Sequence, residues 1–352
     1  MAAARGRSEP GLDVLRAIAI AWMIAVHVRR LLPPTPAGGA ARLALDTLAR
    51  GEPWVAAAFA LLAGASVVLA LGAGRTLAWL AQRAAVLWLL SVGLFVAQYG
   101  LALPDLVLSS GILSALAVST LVVGAALRAP SPRFALAVAL GATLALAWAL
   151  ERAAVGWSGV DGGPGGAVPL LAFAILGALA ATGEPLRRPR RAALGALAAA
   201  PLALGAAALG LRLTTTRTSW YPRVDTVAAF EIFSPGYFDR DAVPLAFWNH
   251  SVAGVVVLAP LLLAPLALAL RGREVARTVG VLRVSALLGR HALFVYVAHL
   301  AALGVASGFG LAPRDAVEAW GAWGALLALA WAGAWGLERL APRRAQSFSE
   351  AR

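Results

Sequence analysis

Cysteine is absent from the 352 residues, and so is lysine. Without cysteine there are no disulfides, no thiolate nucleophile and no thiolate metal ligand, and the redox compartment is left open. Charge of either sign is scarce. Asp, Glu, Lys and Arg together make up 13% of the chain while 61% is hydrophobic, and the mean hydropathy is +0.79. Those values lie outside the range of soluble globular proteins and describe a polytopic membrane protein. Four histidines are present, with no HExxH or other compact ligand spacing, so no catalytic metal is expected. A Gly-rich phosphate loop and a GxSxG elbow are also missing.

The positive charge is all arginine, and the net charge of +13 would suggest nucleic acid in a soluble protein. Here the arginines sit in short loops between apolar runs, so topology explains them and no nucleic-acid partner is expected. Apolar segments fall at 12–32, 54–73, 76–98, 107–127, 133–150, 167–182, 191–211, 243–270, 285–309 and 317–337, which predicts an all-α bundle of about ten transmembrane helices. Arginine groups at Arg5 and Arg7, Arg75, Arg128 and Arg133, Arg187 to Arg191, Arg271 to Arg277, and Arg339 to Arg344 occupy alternate connections. The positive-inside bias makes those connections cytoplasmic. The expected organisation is a cytoplasmic N-terminus (1–11), a transmembrane domain (12–338) and a cytoplasmic tail (339–352).

Two connections stand out. Residues 33–53 follow Pro33, Pro34 and Pro36 and read as a linker that ends at Glu52 and Pro53. Residues 212–242 gather Trp220, Tyr221, Phe230, Phe233, Tyr237 and Phe238 with several acids and threonines, a composition that predicts an ordered external lid. Small residues at Gly64, Ala65, Ser66, Gly93 and Gly177 predict close helix packing.

The first apolar run, LDVLRAIAIAWMIAVHVRRLL, is long enough to span a bilayer yet carries Asp13, Arg16 and His27. At 100° per residue, Arg16 and His27 lie about 20° apart and Asp13 roughly 40° from His27, so all three share one face. Arg16 and His27 are separated by roughly 16 Å along the axis. Ionisable groups at membrane depth face a protein interior or a water-filled cavity. A cleaved signal peptide is the competing reading of this stretch, and Asp13 and Arg16 inside the run argue against it.

The order LDVLRAIAIAWMIAVH, FALLAGAS at Phe59 to Ser66, arginines at Arg75 and Arg83, SSGILSALAVS, and the late LGRHALFVYVAHL resembles the heparan-alpha-glucosaminide N-acetyltransferase-like family of membrane acyltransferases. The first helix also looks like acyltransferase family three. The resemblance implies a multi-helix membrane enzyme that moves an acyl group from cytoplasmic acyl-CoA, acetyl-CoA foremost, to a carbohydrate or glycolipid acceptor on the far side, and the expected location is a bacterial inner membrane. Related sequences often place an acid directly before the first-helix histidine, whereas Val26 stands there here. Which group orients the imidazole of His27 is therefore open.

Acyl transfer to a hydroxyl or amine requires removal of a proton, and histidine, with an ordinary pKa near 6.5, can do this at neutral pH. His27 is the expected base or acyl carrier, against a structural interfacial role. Tyr296 and His299, three residues apart on one helical face, are expected to polarise the thioester carbonyl or else to form an interhelical hydrogen bond. Arg16, Arg75 and Arg83 are expected to meet CoA phosphates. The alternatives are an ion pair with Asp13 for Arg16 and snorkelling for Arg83. Glu52, Trp220, Tyr221 and His250 are expected at the acceptor, and His291 at an interface. An exporter and a non-catalytic membrane partner are the other function classes, and oligomeric state is not legible.

Overall fold

The computed structural model describes residues 9–32, 39–50, 52–99, 111–153, 166–182, 252–271 and 279–340, with isolated positions between 101 and 108 and at 160. Among these residues the chain is all-α. Its eleven helices are α1 (Pro10–Arg30), α2 (Ala40–Arg50), α3 (Glu52–Gly72), α4 (Leu77–Tyr99), α5 (Ile112–Ala126), α6 (Pro132–Ala153), α7 (Ala167–Thr182), α8 (Val252–Arg271), α9 (Gly280–Arg290), α10 (Ala292–Gly308) and α11 (Ala316–Leu340). The expected span at 191–211 and the expected lid at 212–242 lie outside the described residues.

Among the described residues, four helices are long and apolar enough to cross a membrane: α1, α3, α4 and α6. A fifth span results if α9 and α10 count as one broken crossing. α5, α7 and residues 258–270 of α8 are apolar but shorter. Of the ten expected spans, four or five are present by length and composition among the described residues. Two further departures concern single elements. The presumed linker contains α2, whose Ala41, Leu45 and Leu48 fall at helical spacing among strong helix formers. The expected ninth span is two helices, bent by 75° at His291, because Arg283 and Arg290 make α9 amphipathic while the residues after His291 are continuously apolar.

Local signals set the ends. Pro10 opens α1, where its missing N–H costs nothing, and Asp13 lies in the first turn while His27, Arg29 and Arg30 lie in the last, as the helix dipole favours. Asp315 caps α11 by accepting from the N–H groups of Val317 (2.8 Å) and Glu318 (2.9 Å), and Glu318 accepts from the Arg314 N–H at 2.8 Å. α3 and α10 stop at Gly74 (φ 84°) and Gly310 (φ 67°), the left-handed conformation that glycine adopts without steric cost.

The helices form two compact units. One contains α3 to α8, the other α1, α2 and α9 to α11. In the first, α3 crosses α7 at mutual glycines: a Cβ on Gly64 would strike the Ala174 carbonyl, and one on Gly177 would strike the Leu61 carbonyl. Close backbone approach through small residues is how apolar helices gain dispersion energy where lipid removes the hydrophobic drive. Gly93 has no such neighbour, so the expectation of close packing does not extend to it.

In the second unit, α1 is the enclosed element. Two-thirds of its apolar window (67%) is buried, against 17% for α6, which marks α1 as an inner helix. Its N-terminal half packs on α9, where Gly289 lies against the Asp13 carbonyl. Indole N–H groups tie the rest: Trp323 of α11 donates to Ala21 O at 2.8 Å, and Trp22 donates to Leu48 O of α2 at 2.7 Å. Trp320 donates to Ala41 O at 3.1 Å, and Arg29 pairs with Asp46. α2 is thereby fastened to the end of α1 that carries His27.

The glycine crossing gives a stability prediction. Gly64→Ala and Gly177→Ala should each lower the thermal stability of the detergent-solubilised protein by about 1–3 kcal/mol through overpacking. Gly93→Ala should be neutral or gain up to about 1 kcal/mol from helix propensity. Melting curves of the three variants check this.

Candidate functional site

α1 and α10 bring His27 and His299 together. The His27 Nδ1 and His299 Nε2 atoms are 2.9 Å apart, the ring centroids are 5.2 Å apart, and the planes are within 9° of parallel. Each nitrogen lies on the rim of its ring, so these values put both nitrogens close to the line between the centroids. The rings therefore meet edge to edge in nearly one plane. That is the geometry of an N–H···N hydrogen bond and not of a face-to-face stack. On its other side, His299 donates from Nδ1 to the carbonyl of Val295, one turn back on α10, at 2.9 Å.

The two rings differ in access. His299 is buried, 2% exposed, while His27 is half-buried and keeps surface of its own. Tyr296 stands edge-on to His299, with centroids 5.6 Å apart and planes at 76°. Arg30, also buried, is within electrostatic reach of both His27 and Tyr296. It escaped sequence reading because consecutive arginines at a helix C-terminus look like ordinary dipole and topology residues.

The expected Asp13–Arg16 relation is present as an ion pair. Arg16 Nη1 lies 2.5 Å from Asp13 Oδ1, with the Asp13 side chain buried and that of Arg16 24% exposed. The pair sits near the opposite end of α1 from the histidines. Arg75 and Arg83 belong to the other unit. Their guanidinium carbons lie 5.3 Å and 5.6 Å from the centroid of the Trp79 ring, so one indole receives two cation–π contacts along a single helix face. His291 stands at the α9–α10 bend, 3.9 Å from the Glu338 carboxylate that also pairs with Arg290, which makes it an interhelix contact. Glu52 is the first residue of α3, and its side chain is outside the described set. Trp220, Tyr221 and His250 lie outside the described residues altogether. Among the described residues no group of three or more His, Asp or Glu is placed to hold a metal ion.

The helical fold, with its membrane-length apolar helices, and a histidine pair between two of its helices define a class: α-helical integral membrane protein with an ionisable internal site. Within that class, residues 9–162 match the family model described as heparan-alpha-glucosaminide N-acetyltransferase, catalytic, which bears out the resemblance read from the first helix onward. The likeness of that helix to acyltransferase family three has no counterpart in the match. No curated protein matches the chain. The matched region carries Asp13, Arg16, His27, Glu52, Arg75 and Arg83 and ends before Tyr296 and His299. The partner of His27 therefore comes from outside the matched residues.

The ion pair of α1 yields a prediction of its own. Asp13→Ala takes the carboxylate from a partly buried guanidinium and should cost roughly 1–3 kcal/mol of stability. Asp13→Asn keeps an acceptor and should cost less. Thermal unfolding of both variants, compared with wild type, measures the difference.

Proposed function

We propose that the protein is a membrane acyltransferase that moves an acetyl group from acetyl-CoA to a hydroxyl or amine of a carbohydrate-type acceptor, a glycan or glycolipid. The observation that carries this reading is the half-buried His27, inside the region similar to an N-acetyltransferase catalytic domain and hydrogen-bonded to a second, buried histidine. The reaction needs a group that accepts the acceptor's proton as its oxygen or nitrogen attacks the thioester carbon. His27 does this, or takes the acyl group itself before passing it on. The C–S bond then breaks, and the CoA sulfur leaves with the electron pair and recovers the proton. The positive charge of Arg30 favours the oxyanion formed on the way.

Arg16, Arg75 and Arg83 hold the donor's phosphates in this reading, supported by the preference of planar guanidinium for phosphate. Glu52, Trp220, Tyr221 and His250 belong to the acceptor side. Arginine-rich connections support a topology with both termini on the cytoplasmic side, here of a bacterial inner membrane, with donor entering from within and His27 toward the outer end of α1. The 75° break between α9 and α10 favours a second reading, a small-molecule exporter, because transporters build substrate paths from broken helices.

Protein reconstituted in lipid vesicles with radiolabelled acetyl-CoA and a terminal glucosamine acceptor separates the two. Covalent label on the acceptor is expected, and His27→Ala should reduce its formation by about 10²- to 10⁴-fold while the protein stays folded and inserted. A folded His27→Ala protein with the wild-type rate, or unmodified solute crossing the vesicle with no label transferred, would remove the transferase reading.

A further inference from the structure

The hydrogen bonds around the two histidines fix where their protons are. A carbonyl oxygen only accepts, so the 2.9 Å contact with Val295 requires a proton on His299 Nδ1. A neutral imidazole carries one ring proton, so His299 Nε2 is then an acceptor. The atom facing it at 2.9 Å, His27 Nδ1, must donate. That leaves the lone pair of His27 on Nε2. We infer that His299 is a positioning residue that holds His27 in the Nδ1–H tautomer and so makes Nε2 its reacting nitrogen.

This assigns His299 a different task from polarising a thioester carbonyl. In the neutral pair its single proton is given to Val295, and its other nitrogen is taken up by His27, so it has no proton to offer a carbonyl. Its burial agrees, since a ring 2% exposed does not meet substrate directly, whereas the half-buried His27 can. It also supplies the orienting group that Val26 cannot be. An acid in that place would hold the ring by its charge; a neutral imidazole does so by hydrogen bonding alone, anchored in turn by the backbone of α10. The proton sequence follows. As the acceptor's N–H or O–H attacks, its proton passes to His27 Nε2, the resulting imidazolium keeps its Nδ1–H on His299 Nε2, and the departing thiolate takes the proton back from Nε2.

The inference rests on the transferase reading for its consequence but not for its first test. Wild-type protein labelled with ¹⁵N-histidine and placed in lipid nanodiscs reports the tautomer of each ring by NMR, with His27→Ala used only to assign the signal. His27 is expected as the Nδ1–H tautomer, against the preference of a free neutral histidine side chain for Nε2–H. A proton on His27 Nε2 overturns the inference whatever the activity. In kinetics, His299→Ala should lower kcat by on the order of 10²- to 10⁴-fold with KM for donor and acceptor nearly unchanged. His299→Gln, whose amide oxygen can accept from His27 Nδ1, should recover transfer to within about tenfold of wild type. His299→Leu, of comparable size but with no acceptor, should lose transfer as alanine does, which separates the lost acceptor from a packing defect. A raised KM with unchanged kcat in His299→Ala would make His299 a binding group and overturn the positioning role. If His27→Ala retained full transfer while the tautomer was as expected, the function would fail and the tautomer assignment would stand.

Discussion

A hydrogen bond between two uncharged rings is what makes α1 tolerable as a membrane-length helix with a histidine near its end. An imidazole that gave up water for an apolar surrounding without a partner would lose several kcal/mol, on the order of 2–7, and lipid offers none. The His27–His299–Val295 chain sets the Nδ1–H of each ring on an acceptor at 2.9 Å. It also fixes the approach of α10 to α1, since a ring-to-ring bridge in one plane permits little rotation of either helix. The same bond that satisfies the polar groups sets the direction in which the site can act.

The other contacts of α1 keep that bond in register. Trp323 and Trp22 use their indole N–H groups at Ala21 and Leu48, and Arg29 pairs with Asp46, so the turns on both sides of His27 are held by α11 and α2. At the far end, Gly289 lets α9 lie directly on the Asp13 backbone, and the Asp13–Arg16 pair neutralises a carboxyl buried there. α1 is thus pinned at both ends by groups that are not simply apolar. A helix in hydrocarbon gains little from hydrophobic burial against its neighbours, so packing at glycine and hydrogen bonds of tryptophan carry more of the specificity.

Much of this was legible in the chain. The run from Leu12 to Leu32 became α1 at Pro10–Arg30, and the segments starting near 54, 76, 133, 167 and 317 became α3, α4, α6, α7 and α11 with ends shifted by a few residues. His27 as the singular residue of the first helix and the Tyr296–His299 neighbourhood were both readable from spacing. α2 was not, because eleven residues with one apolar face look like a linker once prolines precede them. The α9–α10 bend was missed since a hydropathy window averages an amphipathic turn into the apolar run that follows. The histidine pair itself joins positions 272 apart, and no local pattern encodes a contact of that range. Glycines 64 and 177 were noted as small, but that each occupies the other helix's carbonyl surface is a property of the crossing.

The central claim is that His27 and His299 act as one unit, and a double-mutant cycle on the rate of acetyl transfer measures that most directly. With His27→Ala, His299→Ala and the double variant reconstituted at equal amounts and checked for insertion, the double variant should be no slower than His27→Ala alone, because a positioning residue has nothing left to position. Losses that multiply, so that the double variant falls by the product of the two single effects, would mean that the two histidines serve the reaction independently and would contradict the account.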